Sequence, residues 1–218
     1  MATQDQSLDD SPLLDGKWMP PGRMSEDEFV AWCDEDTRAE WIDGEVLIMN
    51  PPNFDHADLS AWLVAVIRPF VEQRDLGKIV QDFHVRLPRQ RRRRTPDLCF
   101  VAKERLGIIR RNHVEGAPDL IIEIVSPDSE ARDWREKYLE YQAAGVKEYW
   151  VIDPLSQQVE IYGLTGPQGA ATGEYRRVGP AGGVIESSVL AGLCLQVPWL
   201  WLETRPKLLD ALRQLGLL

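Results

Sequence analysis

The chain has 218 residues with a net charge of −10, 44% hydrophobic and 28% charged residues. This is the composition of a soluble globular protein able to bury a core. The acidic balance argues against binding nucleic acid over the whole surface, and no apolar run approaches the roughly 18 residues of a membrane span. Cys33, Cys99 and Cys194 are too few and too scattered for a disulfide framework or a zinc spacing, and read as reduced thiols of a cytoplasmic protein.

Residues 1–24 are polar and acidic at the outset and are expected to be a disordered tail rather than a signal peptide; residues 25–218 read as a single domain. Ser25-Glu26-Asp27-Glu28 is a capping box that opens a short helix through Phe29 and Trp32. Glu40 to Met49 forms a hairpin around Asp43-Gly44, a pair that tolerates positive φ, and Pro51-Pro52 ends it. Leu59, Trp62, Leu63, Val66, Ile67, Phe70 and Val71 recur at helical spacing and predict an amphipathic helix from about Asp55 to Leu76, kinked at Pro69 and stopped at Gly77.

Three strands follow, over Lys78 to Leu87, Pro96 to Val101 and Asp119 to Val125. The third is apolar on both faces, the mark of a strand covered on both sides. Ser126 to Ser129 break it and cap a helix from about Glu130 to Ala144, ended by Gly145. Glu148 to Ile152 and Val159 to Tyr162 are further strands. Glycine-rich turns, short strands around Tyr175 and over Val184 to Val189, and a helix from about Pro206 complete the chain.

One basic cluster interrupts the acidic sequence: Arg89, Arg91, Arg92, Arg93 and Arg94. It reads first as a solvated loop. Contact with a phosphate backbone, or with the chain's own acidic surface, are the alternatives.

Glu123 is the most informative residue, a carboxylate in mid-strand among Ile121, Ile122, Ile124 and Val125. An ionised group there is costly unless paired or bound to a metal. Asp97 opens another apolar strand directly after Pro96; if the two strands are neighbours, two acids converge and a divalent cation resolves their repulsion. Oxygen-only ligation suits Mg²⁺ or Mn²⁺. Lys137, on the following helix, can reach the edge of such a site and orient or help deprotonate a water. Trp134, Tyr138 and Tyr141 on that helix read as packing residues. Glu45 is a possible third carboxylate and His56 a possible ligand or proton carrier, whereas His84 and His113 read as structural and Asp119 as a strand-entry residue. The chain has no phosphate-binding or dinucleotide-binding glycine pattern, no Gly-x-Ser-x-Gly elbow and no cysteine paired with a plausible histidine.

The order helix, three strands, helix, strand, together with Asp43-Gly44-Glu45, His56, Pro96-Asp97, Pro118 through Pro127, Lys137, Gly145 to Trp150 and Leu190-Ala191-Gly192-Leu193, resembles the Uma-type restriction-endonuclease-like family of the PD-(D/E)XK nuclease superfamily. The resemblance covers about Glu40 to Tyr162. It implies an α/β restriction-endonuclease-like core with an N-terminal hairpin and C-terminal β and α decorations. It also implies a Mg²⁺- or Mn²⁺-dependent phosphodiesterase that cuts DNA through its phosphate backbone. Asp97 matches the superfamily Asp, Glu123 its acidic partner and Glu45 an acid found before the core. The superfamily lysine position is occupied by Val125, and Lys137 matches the helix lysine that replaces it in this family. The rival expectations are a non-catalytic interaction module on the same fold and a nuclease acting on RNA or branched DNA. A homodimer is expected from such folds, with Val197 to Leu202 as a contact or, alternatively, as core packing.

Overall fold

The computed structural model describes residues 23–34, 37–125, 131–166 and 173–218, side chains of 131–134 excepted, and the backbone of Leu13–Leu14 and Lys17–Trp18. The chain divides into two compact units, Met1–Met49 and Asn50–Leu218. Most of the expected tail, and the expected helix cap over Ser126 to Glu130, lie outside the described residues.

In the first unit, Leu13–Leu14 and Lys17–Trp18 pair antiparallel. Helix α1 (Glu26–Trp32) opens on the expected capping box: the Glu28 amide donates to Ser25 Oγ, and the Ser25 amide donates back to Glu28 Oε2 at 2.7 Å. Strands β1 (Ala39–Ile42) and β2 (Glu45–Ile48) form the expected hairpin. Asp43 and Gly44 take φ values of 49° and 98° at its turn, the left-handed pair that matches strand twist. Phe29, Ala39 and Trp41 form this unit's apolar core, and Trp41 Nε1 donates to the Met24 carbonyl at 2.9 Å.

The second unit begins with α2 (Phe54–Gln73), capped by the Asn53 side chain, which accepts from the His56 amide. The helix continues through Pro69 and ends three residues earlier than the glycine signal suggests. Gly77, at φ 150°, instead opens β3 (Gly77–Gln81) where a Cβ would lie 2.1 Å from the Val101 carbonyl oxygen. The single strand expected over Lys78 to Leu87 is two strands. Asp82 turns the chain at φ 47°, a conformation that aspartate tolerates. The chain then forms β4 (Val85–Leu87), which pairs with β5 (Arg92–Arg94) and β7 (Val114–Glu115).

The main sheet contains β3, β6 (Leu98–Ala102), β8 (Leu120–Ile124), β9 (Glu148–Asp153), β10 (Gln158–Thr165) and β11 (Glu174–Gly179), in the spatial order β11-β10-β9-β8-β6-β3. All neighbours are antiparallel except β8 and β9, which are parallel and joined by α3 (Ala131–Ala144). Parallel neighbours require such a crossover. The core is therefore α2, three strands, α3 and one strand, with β4, β5 and β7 as insertions.

Alternation sorts the two faces of the sheet. Leu120, Ile122 and Ile124 share one cluster with Leu59, Leu63, Val66, Ile67 and Phe70 of α2. Ile121, Cys99, Val101, Tyr149 and Val151 share the other with Tyr141 of α3. Glu123 alternates onto this second face. Strands β12 (Val184–Glu186) and β13 (Cys194–Gln196) and helix α4 (Leu208–Gln214) close the unit. Trp199 and Trp201 pack into the α2 cluster, so Val197 to Leu202 serves the chain's own core, with Leu202 left exposed.

Candidate active site

Two Pro-Asp pairs begin the two central strands, and each aspartate completes the ladder of the other strand. Asp119 enters β8 and its Oδ2 accepts from the Ala102 amide at 2.9 Å, at the far end of β6. Asp97 enters β6 and its Oδ2 accepts from the Ile124 amide at 2.6 Å, at the far end of β8. Each side chain thus satisfies a backbone N–H that lies beyond the last pairing of these two strands. The second oxygen separates their roles. In Asp119 it meets Arg105 and Lys147, each at 2.8 Å; in Asp97 it meets His56 Nε2 at 3.0 Å. Asp119 is a fully buried structural carboxylate, in line with its reading as a strand-entry residue.

The register pairs Ile122 with Leu98, so the next position sets Asp97 opposite Glu123. Opposed residues of an antiparallel pair face the same side with Cβ atoms roughly 4.5–5.5 Å apart. The expected convergence of the two acids is present, and both are buried.

Glu123 is met from α3. Lys137 Nζ lies 3.1 Å from Glu123 Oε2, and the Tyr141 hydroxyl donates to Oε1 at 2.7 Å. Lys137 and Tyr141 are four residues apart and so face the same way from one helix. Tyr141, read from the sequence as packing, is fully buried and also holds the acid. The signal that identifies it is this spacing from Lys137.

Glu140, on the same side of α3, takes up the basic cluster. Its Oε1 accepts from Arg92 Nε at 2.7 Å and Arg94 Nη2 at 3.0 Å, and its Oε2 accepts from Arg94 Nε at 2.8 Å. Arg94 is fully buried and Arg93 nearly so, whereas Arg89 and Arg91 are exposed. The solvated-loop reading therefore holds only for the turn. The strand half of the cluster meets the chain's own acid, because alternation aims Arg92 and Arg94 to one side.

His56 stands in the first turn of α2. Burial opposes charge on its ring, yet the hydrogen bond and negative charge of Asp97, with Asp82 and Glu123 beyond, raise its pKa above the ordinary 6.5. Its Nδ1 is buried without a hydrogen-bond partner. Cys99, beside Glu123, has its thiol pushed up to about 12 by burial and by the Glu123 charge. That removes it as a nucleophile at neutral pH, as expected from its lack of a partner histidine. His84 meets Thr95, and His113 meets Asn112 and Glu115, consistent with structural roles. Glu45 belongs to the first unit, where it is exposed and lies 3.6 Å from Arg23.

The described residues contain no group of three or more His, Cys, Asp or Glu arranged to hold an ion. The pair that is present still fits a hard divalent cation. Mg²⁺ keeps several waters and binds through one or two carboxylates, and Asp97 and Glu123 are hard oxygen donors on one face. They are met by a histidine and a lysine, partners whose place a cation can take.

A sheet whose two faces pack against α2 and α3, with the order helix, three strands, helix, strand, defines a restriction-endonuclease-like fold. The Uma2 family, described as "Putative restriction endonuclease", matches residues 26–198. The chain belongs to this family. Five chains of known structure match. One is described as a "putative nuclease belonging to DUF820 from Anabaena variabilis ATCC 29413", with 22% identity and a TM-score of 0.65 over 80% of this chain and 95% of that one. This likeness extends to the fold. No curated protein matches the chain.

Proposed function

We propose that this protein is a divalent-metal-dependent phosphodiesterase that cuts DNA, using Mg²⁺ or Mn²⁺ at Asp97 and Glu123. The observation that carries the reading is the opposed, buried pair Asp97 and Glu123 with Lys137 on Glu123 Oε2. When bound, a divalent cation supplies Lewis acidity toward the phosphate and lowers the pKa of water. Asp97 and Glu123 hold the ion. Lys137, released from Glu123, orients the attacking water or balances charge on the phosphate. His56, held by Asp97, serves as a proton carrier. Glu45 is carried as a third carboxylate on the family resemblance alone. The protein is taken to work in the cytoplasm, and a homodimer would present two such sites to the two strands of a duplex.

Cleavage of supercoiled plasmid, single-stranded RNA and a branched duplex in Mg²⁺ and in Mn²⁺ tests this. The expected result is metal-dependent plasmid cutting, lost in Asp97→Asn, Glu123→Gln and Lys137→Met and altered in His56→Gln and Glu45→Ala. Preference for RNA or the branched duplex would reassign the substrate. A specific observation favours a second reading, a non-catalytic interaction module: each site carboxylate already has internal partners, His56 and the Ile124 amide for Asp97, Lys137 and Tyr141 for Glu123. No cleavage of any substrate together with no metal binding would establish that reading.

A further inference from the structure

The two oxygens of Glu123 are held by groups of different mobility. Oε2 faces Lys137, whose ammonium ends a flexible four-carbon stem. Oε1 faces Tyr141, whose ring cannot move without disturbing a cluster: it packs edge-on against Tyr149 at 5.2 Å, and Tyr149 in turn stacks with Tyr162 and Tyr175. Tyr138 packs edge-on against both Tyr162 and Tyr175. All five tyrosines of the chain are in this one cluster. It pins α3 to the sheet, and Tyr141 is its member nearest the acid.

A cation entering at Glu123 therefore meets one oxygen whose partner can swing away and one whose partner stays. We propose that Tyr141 is a positioning residue that keeps Oε1 of Glu123 occupied, so that the carboxylate offers a cation Oε2 alone. Lys137 holds that place in the metal-free protein. This inference rests on the metal reading above and adds a selectivity rule to it. A carboxylate limited to one oxygen suits the near-octahedral shell of Mg²⁺ or Mn²⁺; Ca²⁺, with six to eight ligands, gains from carboxylates that bind through both oxygens.

The test compares Mg²⁺ and Ca²⁺ titrations by calorimetry into the full-length wild type, Tyr141→Phe and Lys137→Met, with circular dichroism and thermal melting to establish folding. Tyr141→Phe is expected to erode the preference for Mg²⁺ over Ca²⁺ by about tenfold, the low end for a hydrogen bond to a charged group. Lys137→Met, which leaves the phenol in place, is expected to keep the wild-type preference. A folded Tyr141→Phe with unchanged preference overturns the proposal. So does a Lys137→Met protein that loses the preference, an arm that decides the matter even if Tyr141→Phe does not fold. A wild type that binds neither cation overturns the metal reading itself and this inference with it.

Discussion

Replacing Glu140 by Ala tests whether the arginine strand β5 and helix α3 are fastened together as described. The substitution removes the acceptor of three hydrogen bonds, from Arg92 Nε, Arg94 Nε and Arg94 Nη2. It leaves Arg94, a fully buried guanidinium, without this counter-charge. Breaking a buried ion pair by removing one partner costs about 3–5 kcal/mol, far more than a surface pair. For a unit of this size each kcal/mol shifts Tm by about 2–4 °C, so the expected drop is roughly 6–20 °C. Urea unfolding followed by fluorescence and scanning calorimetry would measure it. Because an apolar replacement on both sides of a buried ion pair avoids an uncompensated charge, Glu140→Leu combined with Arg94→Met should regain part of the loss, while Arg92, half-buried, keeps access to water. A Glu140→Ala protein less than about 1 kcal/mol destabilised, the range of exposed pairs, would refute the reasoning.

Two pH effects follow from Asp119 and His56. Asp119 has its pKa lowered: burial opposes this, but the Ala102 amide, Lys147 and Arg105 outweigh it. A lowered folded-state pKa gives stability that is present above the ordinary value of 3.8 and lost as pH falls through the folded value. Asp119→Asn should therefore be less stable than wild type at pH 7, and the gap should narrow in acid unfolding curves as pH falls below 3.8. His56 has the opposite sign. Its raised pKa gives stability that is fully present below 6.5 and lost as pH rises through the folded value. His56→Gln should cost more at pH 5.5 than at pH 9 by urea unfolding, and the His56 ring resonances of the metal-free protein should titrate above 6.5.

The pair of strand carboxylates is legible because its residues break local rules. Glu123 stands out against an apolar strand, and Pro-Asp marks a strand entry at Asp97. Sequence alone does not reveal that Asp97 and Asp119 each complete the other's strand, since that depends on the register that pairs Leu98 with Ile122 and Phe100 with Leu120. Tyr141 was hidden for a different reason. Helical period places it on the buried face but not the direction of its hydroxyl, and a buried phenol is first of all apolar bulk. The break in Lys78 to Leu87 was hidden because the turn is made by Asp82 at positive φ with no glycine or proline to mark it. Arg92 and Arg94 carry no strand signal, and their strand forms because β4 supplies a ladder and Glu140 an acceptor.

The central claim is that Asp97 and Glu123 hold a divalent cation. Calorimetric titration of Mn²⁺ and Mg²⁺ into the wild type and into Glu123→Gln tests it without any assumption about substrate. The account predicts saturable binding in the wild type that is lost in the variant while its folded signal is retained. Equal binding to both proteins, or binding to neither, would contradict it and leave Glu123 a structural carboxylate held by Lys137 and Tyr141.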